Sequence, residues 1–256
     1  AVYTYCSEGV EAVMGYRADE MIGKTPFDFM APEDAEVVSA LFVDIVKHKK
    51  PIRDLENWNL SKEGKHVCLL TSGRPILGER GELLGYRGVD KDITKEKNTD
   101  YFSRKTAEIF EMVASGVAVE KVYDAICLMQ ERQNPRMRTS ILRLKGDQLF
   151  HCSSPSLPDP YSQAIDGVKI GPCVGSCGTA VFLGKEVIVE DIATDPLWAD
   201  FKELALSHDL QACWSSPIMG TDGAVLGSFA EYFDRPTTPS ENELKEIKNM
   251  SGLVAI

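Results

Sequence analysis

Two rhythms of apolar and polar positions run along this chain, and the slower one occupies its middle. From Thr94 to Gln133 apolar residues return at helical spacing, through Phe102, Ile109, Phe110 and Val113, then through Val119, Val122, Tyr123, Ile126 and Met129. Glu96, Arg104, Lys105, Glu108, Glu111, Lys121, Asp124 and Glu131 fill the other side. The pattern predicts one long helical connector with a pause at Ser115-Gly116. Its apolar stripe needs a cover, supplied either by its own domains or by the same helix of a second chain; the latter predicts a homodimer.

On either side the rhythm shortens to strands. Ahead of the connector, Val2 to Cys6 alternates like a strand, and short helices end at Gly15 and Gly23, where glycine suits a left-handed cap. A longer helix starts at Pro32-Glu33-Asp34 and ends in Lys47-His48-Lys49-Lys50, with acids and bases placed as the helix dipole favours. Strand runs follow at 52–60, 65–75 and 83–92, separated by glycine-bearing turns. Behind the connector, 139–144 and 148–153 form a hairpin, 169–177 is punctuated by glycine, and 179–183 is a short apolar segment. A strand over 186–192, a helix over 197–207 and strands over 213–219 and 225–233 complete the order. Thr238-Pro239-Ser240-Glu241 reads as a capping box for a last helix. The fold class expected is α+β, with two domains, each an antiparallel sheet with flanking helices.

Composition narrows the partners. A formal charge of −11 opposes binding to nucleic acid or anionic lipid. No apolar run is long enough to insert in a bilayer. Seven cysteines, an odd number among apolar neighbours, fit free thiols in a reducing cytoplasmic setting. His48, His66, His151 and His208 stand at no zinc-site spacing with them.

Gly15-Tyr16-Arg17-Ala18-Asp19-Glu20-Met21-Ile22-Gly23-Lys24, then Pro32-Glu33-Asp34, then Gly85-Tyr86-Arg87-Gly88-Val89-Asp90-Lys91-Asp92-Ile93-Thr94 resemble a PAS sensor domain over residues 1–97. The resemblance implies that Asp92-Ile93-Thr94 closes the domain and that Thr94 caps the exit helix. Two features depart from it: Arg17 stands where the family has Ser or Thr, and the first PAS strand is expected to be missing. The flavin-binding cysteine motif of light-sensing relatives is absent. A pocket in this half is expected at Phe29, Trp58, Cys68 and Tyr86.

Ala164-Ile165-Asp166-Gly167, Gly175-Ser176-Cys177-Gly178-Thr179-Ala180, Val189-Glu190-Asp191-Ile192-Ala193-Thr194-Asp195-Pro196-Leu197-Trp198 and Ala212-Cys213-Trp214-Ser215-Ser216-Pro217-Ile218 resemble a GAF domain over 104–256, with 98–133 as the helix leading into it. This implies a six-stranded antiparallel sheet, a ligand pocket on one face, and attachment to the output domains of histidine kinases or cyclic-di-GMP enzymes, expected past Ile256. The candidate ligand-binding residues are Cys177, Asp191, Asp195, Trp198, Cys213 and Trp214: the aspartates for a cationic group, the tryptophans as cavity walls with indole N–H groups free for a ligand. His208 is a further titrating candidate. The expected function is non-enzymatic sensing of a small molecule or of redox state, with no cofactor specified. Two alternatives stay open: a thiol enzyme resembling free-methionine sulfoxide reductase, built on Cys173, Cys177 and Cys213, and a scaffold used only for dimerisation.

Overall fold

The computed structural model describes residues 2–255. The chain divides between Ser103 and Arg104 into two compact units.

The first unit opens with two short helices, α1 (Gly9–Met14) and α2 (Ala18–Met21). Gly15 at φ +73° and Gly23 at φ +83° turn the chain after them through the left-handed region. A single 3-10 turn, Pro26–Phe29, then drives Phe29 into a core with Met14, Met21, Val67 and Leu69. Helix α3 (Pro32–Lys47) precedes a meander of β1 (Ile52–Leu60), β2 (His66–Leu77) and β3 (Leu83–Asp92), each antiparallel to the next. The strand expected at Val2–Cys6 is not one. Tyr3 spends its backbone bonds on the turn after α2, donating to the Lys24 carbonyl at 2.8 Å and accepting from the Gly23 N–H at 2.9 Å. Arg17 forgoes the side-chain cap of the family pattern, but its backbone N–H reaches the Glu20 carboxylate at 2.8 Å, which Lys62 also grips at 2.7 Å.

The expected single connector is two helices, α4 (Thr94–Ala114) and α5 (Val119–Glu131). Gly116 at φ +69° ends the first, so the pause in the apolar pattern marks a break in the rod. Thr94 does not cap α4 with its hydroxyl either. That oxygen accepts the Cys68 N–H of β2 at 2.9 Å, and the Asp92 carboxylate takes over the capping by accepting the Thr94 N–H at 2.9 Å.

The second unit is a six-stranded antiparallel sheet in the order β6-β5-β4-β9-β8-β7. Its strands are β4 (Met137–Lys145), β5 (Gln148–Ser153), β6 (Val168–Lys169), β7 (Val187–Val189), β8 (Ala212–Met219) and β9 (Val225–Phe233). Helix α5 lies on β4, and the last helix, α9 (Glu241–Val254), lies on β8 and β9. The other face carries α6 (Asp159–Ile165), α7 (Gly175–Leu183) and α8 (Lys202–Leu206). Four expectations shift here. The end of the glycine-punctuated stretch, from Gly175, joins the apolar segment behind it in one helix, α7, buried through Val181; its Gly178 is needed for close packing, since a Cβ there would stand 2.8 Å from that of Val174. The helix expected over 197–207 is a 3-10 turn, Pro196–Trp198, followed by α8, and the strand over 186–192 shortens to β7. The last helix is capped by Ser240 with Glu243, two residues beyond the expected Thr238.

Two acids are buried between the sheet and α5. Glu131 accepts from the Thr139 N–H at 2.7 Å and its hydroxyl at 2.9 Å, and Glu231 accepts from the Gln130 amide at 2.8 Å. Burial pushes the Glu231 carboxyl up to about 8, with the Glu246 and Glu243 charges adding to it, and burial also raises Glu131.

Two measurements follow from this packing. A carboxyl held above its unfolded value of 4.5 keeps a proton that the unfolded chain has released, so its stabilising contribution is lost as pH rises from 4.5 to about 8 and falls no further above that. In Glu231→Gln the Gln130 bond keeps its acceptor and the titration disappears. Urea unfolding between pH 5 and 8 should therefore fall less steeply, by up to about 1.4 kcal/mol per pH unit. Gly227 on β9 faces the backbone of β4, and a Cβ there would run into the Leu142 carbonyl oxygen. Gly227→Ala should cost at least about 3 kcal/mol in the same assay, whereas Gly116→Ala, left-handed but in open space, should cost about 1–2 kcal/mol.

Candidate functional site

Successive residues on a strand point to opposite faces, and in β8 and β9 this separates two sets of side chains. Cys213, Ala230 and Tyr232 face α7 and join its apolar core. Trp214, Glu231 and Phe233 face the side of α5 and α9.

On the α7 side lies a part-open cavity of about 40 Å³, walled by Leu142, Leu149, Tyr161, Ile165, Cys177, Trp198, Phe201 and Tyr232. Among the described residues no Asp, Glu, Lys or Arg lines it. Gly175, at φ +55°, starts α7 directly beneath the Trp198 ring, where even a Cβ would sit 3.7 Å from the indole. The Trp198 indole N–H donates to Ser176 Oγ at 3.1 Å, and the Ser176 hydroxyl donates to the Cys213 carbonyl at 2.9 Å. Cys177 Sγ lies 3.5 Å from the Tyr232 hydroxyl, and Tyr232 meets Tyr161 edge to face at 5.8 Å between ring centres. Burial raises both phenols well above their usual range, so they remain neutral donors. Cys177 moves the other way. The hydrogen bond from the Cys213 thiol, with further ones from Tyr232, Ser228 and Ser215, draws it below the ordinary thiol value against the effect of burial, while burial raises Cys213.

Of the residues singled out in the sequence, Cys177, Cys213 and Trp198 come together here. Asp191 and Asp195 do not line the cavity. Asp191 Oδ1 accepts the Ala193 N–H at 2.9 Å and Asp195 Oδ1 the Leu197 N–H at 2.8 Å, so the two acids shape the turn that delivers Trp198. Trp214 lies on the opposite face, stacked on Phe233 at 4.3 Å, with its N–H on the Thr237 carbonyl at 3.1 Å. Neither indole N–H is left for a ligand, because a buried donor must be paired. His208 packs edge-on to Tyr161 at 6.1 Å, outside the lining. Tyr161, Ile165, Phe201 and Tyr232 complete the walls; of these only Ile165 stood in a stretch that the sequence marked, Ala164-Ile165-Asp166-Gly167.

The four residues expected to line a pocket in the first unit do not converge. Val67 and Leu69 share the Phe29 core, so Cys68 between them points to the other face, directly across from Trp58 on β1. Tyr86 instead ties α3 to the sheet, donating to the carbonyls of Ile45 at 3.2 Å and Lys50 at 3.0 Å. All seven cysteines are free thiols. Among the described residues no group of three or more His, Cys, Asp or Glu could hold a metal ion, and no helix is long and apolar enough to cross a membrane.

Known proteins share this organisation. The PAS fold family matches residues 3–90, and the GAF domain family matches 126–256, just over half of the chain. The methyl sulfide methyltransferase-associated sensor of Methanosarcina acetivorans is 31% identical over 252 residues, covering 92% of this chain and 25% of that protein. The chain thus spans about a quarter of that curated relative. A solved GAF protein from Burkholderia vietnamiensis superposes with a TM-score of 0.50 at 12% identity, covering 62% of this chain and 93% of its own. A structure described as the GAF domain gives 0.50 at 11%, covering 62% and 87%. At these identities the solved structures attest the fold alone. The chain belongs to the GAF domain family and, with a PAS fold ahead of that domain, is a tandem PAS–GAF sensory region.

Proposed function

We propose that this chain senses a small, uncharged, largely apolar molecule in the GAF cavity and passes the event through the sheet to α5 and α9. The observation that carries this reading is the alternation along β8 and β9. Cys213 and Tyr232 lie on the cavity side, while their neighbours Trp214, Glu231 and Phe233 are buried on the side of the two helices. A displaced Tyr232 therefore moves the backbone that positions Glu231 against Gln130 of α5. The sensor name of the Methanosarcina relative supports the same role.

The size of the cavity sets the mechanism. About 40 Å³ holds water-sized occupants, whereas ligand pockets commonly measure about 300–1,000 Å³. A ligand must open the site, and the wall we assign to that movement is the segment carrying Trp198 and Phe201, which starts at the turn capped by Asp195. Ligand then binds the opened state alone, and that difference in affinity is the whole of its signalling leverage; about 1.4 kcal/mol shifts the balance tenfold.

A second copy completes the device. The end of α4 together with α5 and α9 encloses an apolar groove of about 180 Å³, and Phe110, Val113 and Val119 remain exposed beside it. The homodimer is the natural cover for that stripe.

Native mass spectrometry of the purified chain, before and after incubation with a fractionated extract of cell metabolites, should reveal a small bound mass. Ile165→Trp, which fills the cavity from its edge, should cut uptake at least about tenfold with an unfolding midpoint within a few degrees of the parent; undiminished uptake would put the ligand elsewhere. Light scattering should give a dimer for the parent chain and a monomer for Val113→Asp, since a carboxylate cannot be buried unpaired in the seam. A dimer of unchanged mass rules that seam out.

A further inference from the structure

We infer that Cys177 and Cys213 are a reactive dithiol that a hydroperoxide oxidises to a disulfide, giving the GAF unit a second, covalent input. The two cysteines belong to facing elements, the first turn of α7 and the inner face of β8, and share one core: Tyr232, whose hydroxyl lies 3.5 Å from Cys177 Sγ, is the residue directly across from Cys213 on β9. The residue beside Cys177 ties the two elements together: the Ser176 hydroxyl donates to the Cys213 carbonyl at 2.9 Å, next to both thiols.

The two thiols have different access. Cys177 is on the cavity wall and Cys213 lies behind it, fully buried. A cavity of about 40 Å³ admits a molecule as small as hydrogen peroxide without the opening that a larger ligand demands. Cys177 also carries the thiolate character, since donors converge on its sulfur.

The chemistry closes in two steps. The Cys177 thiolate attacks one peroxide oxygen, an S–O bond forms, the O–O bond breaks, and the departing hydroxide takes up a proton as water. The Cys213 sulfur then attacks the Cys177 sulfenic sulfur, the S–S bond forms, the S–O bond breaks, and the leaving hydroxide carries off the Cys213 proton as a second water. Two thiols and one peroxide give a disulfide and two waters. Closure draws the Cys177 sulfur away from the Tyr232 hydroxyl, 3.5 Å distant in the reduced state, and so acts on β9.

The remaining thiols are poorer targets. Burial pushes Cys127 up to about 12 and Cys68 to about 11, and also raises Cys6 and Cys152. Cys173 is exposed and lies outside both the cavity lining and the pair.

The test uses the whole chain. It is exposed to hydrogen peroxide, quenched with N-ethylmaleimide, digested and read by mass spectrometry. The expected product is a peptide linking Cys177 to Cys213, two hydrogens lighter than its parts and reversed by dithiothreitol, with Cys177 consumed at least about tenfold faster than Cys127. Cys213→Ser should leave a sulfenic acid on Cys177 that dimedone traps, and the wild-type cross-link remains decisive if that variant does not fold. Recovery of Cys177 as its maleimide adduct, its conversion to sulfinic acid, or a link to Cys173 would each overturn the inference. Oxidation of the pair requires no bound ligand, so an unsuccessful ligand search and an absent cross-link fail independently.

Discussion

From Ala212 to Ile218 on β8 and from Gly227 to Phe233 on β9 both faces are covered, so no side chain there can turn to water. Each must be either apolar and packed or polar and paired, and the period of two assigns every residue to the cavity or to the helices. Ser215 meets Ser228 at 2.6 Å and Ser216 meets Ser251 of α9 at 3.1 Å. Glu231 accepts from Gln130, and Trp198 reaches Ser176. The polar groups are the fixed points of the packing because leaving any of them unpaired costs about 1–3 kcal/mol.

The same constraint makes the sheet able to transmit. Interiors packed at crystal-like density do not absorb a shift on one face without movement on the other. Tyr232 and Glu231 are neighbours on one strand, one beside the reactive thiol and the other beneath α5, so the cavity and the helices are a single residue apart. The polar pairs under α5 and α9 are where a small movement has the largest energetic consequence, since a stretched buried hydrogen bond is lost without replacement by water.

Much of this was legible in the sequence. Apolar periodicity placed α3, the meander of the first unit and the last two strands of the second almost to their ends, and the quoted motifs pointed to both sensory folds. Gly15 and Gly23 announced their turns because glycine enters the left-handed region without steric cost. Local rules misjudged the segments whose outcome depends on partners far away in the chain. The start of α7 did not read as helix because its glycines are poor helix formers, yet Gly175 takes φ +55° and a Cβ at Gly178 would collide with the Val174 side chain just ahead of the helix. Thr94 looked like a cap until the Cys68 N–H claimed its hydroxyl.

Taken alone, the sequence determined α3, the meander of the first unit, the apolar stripes of α4 and α5 and the last two strands, and that Cys177, Cys213 and Trp198 belonged to motifs worth watching. Those properties depend on neighbours within a turn or two. Only the tertiary structure decided that Cys177 and Cys213 share one core, that Tyr161 and Tyr232 line the cavity, that Trp214 faces away from it, and that Asp191 and Asp195 serve a turn. Each of these depends on sheet register and on which elements pack across it, and register joins residues dozens of positions apart that no local pattern connects.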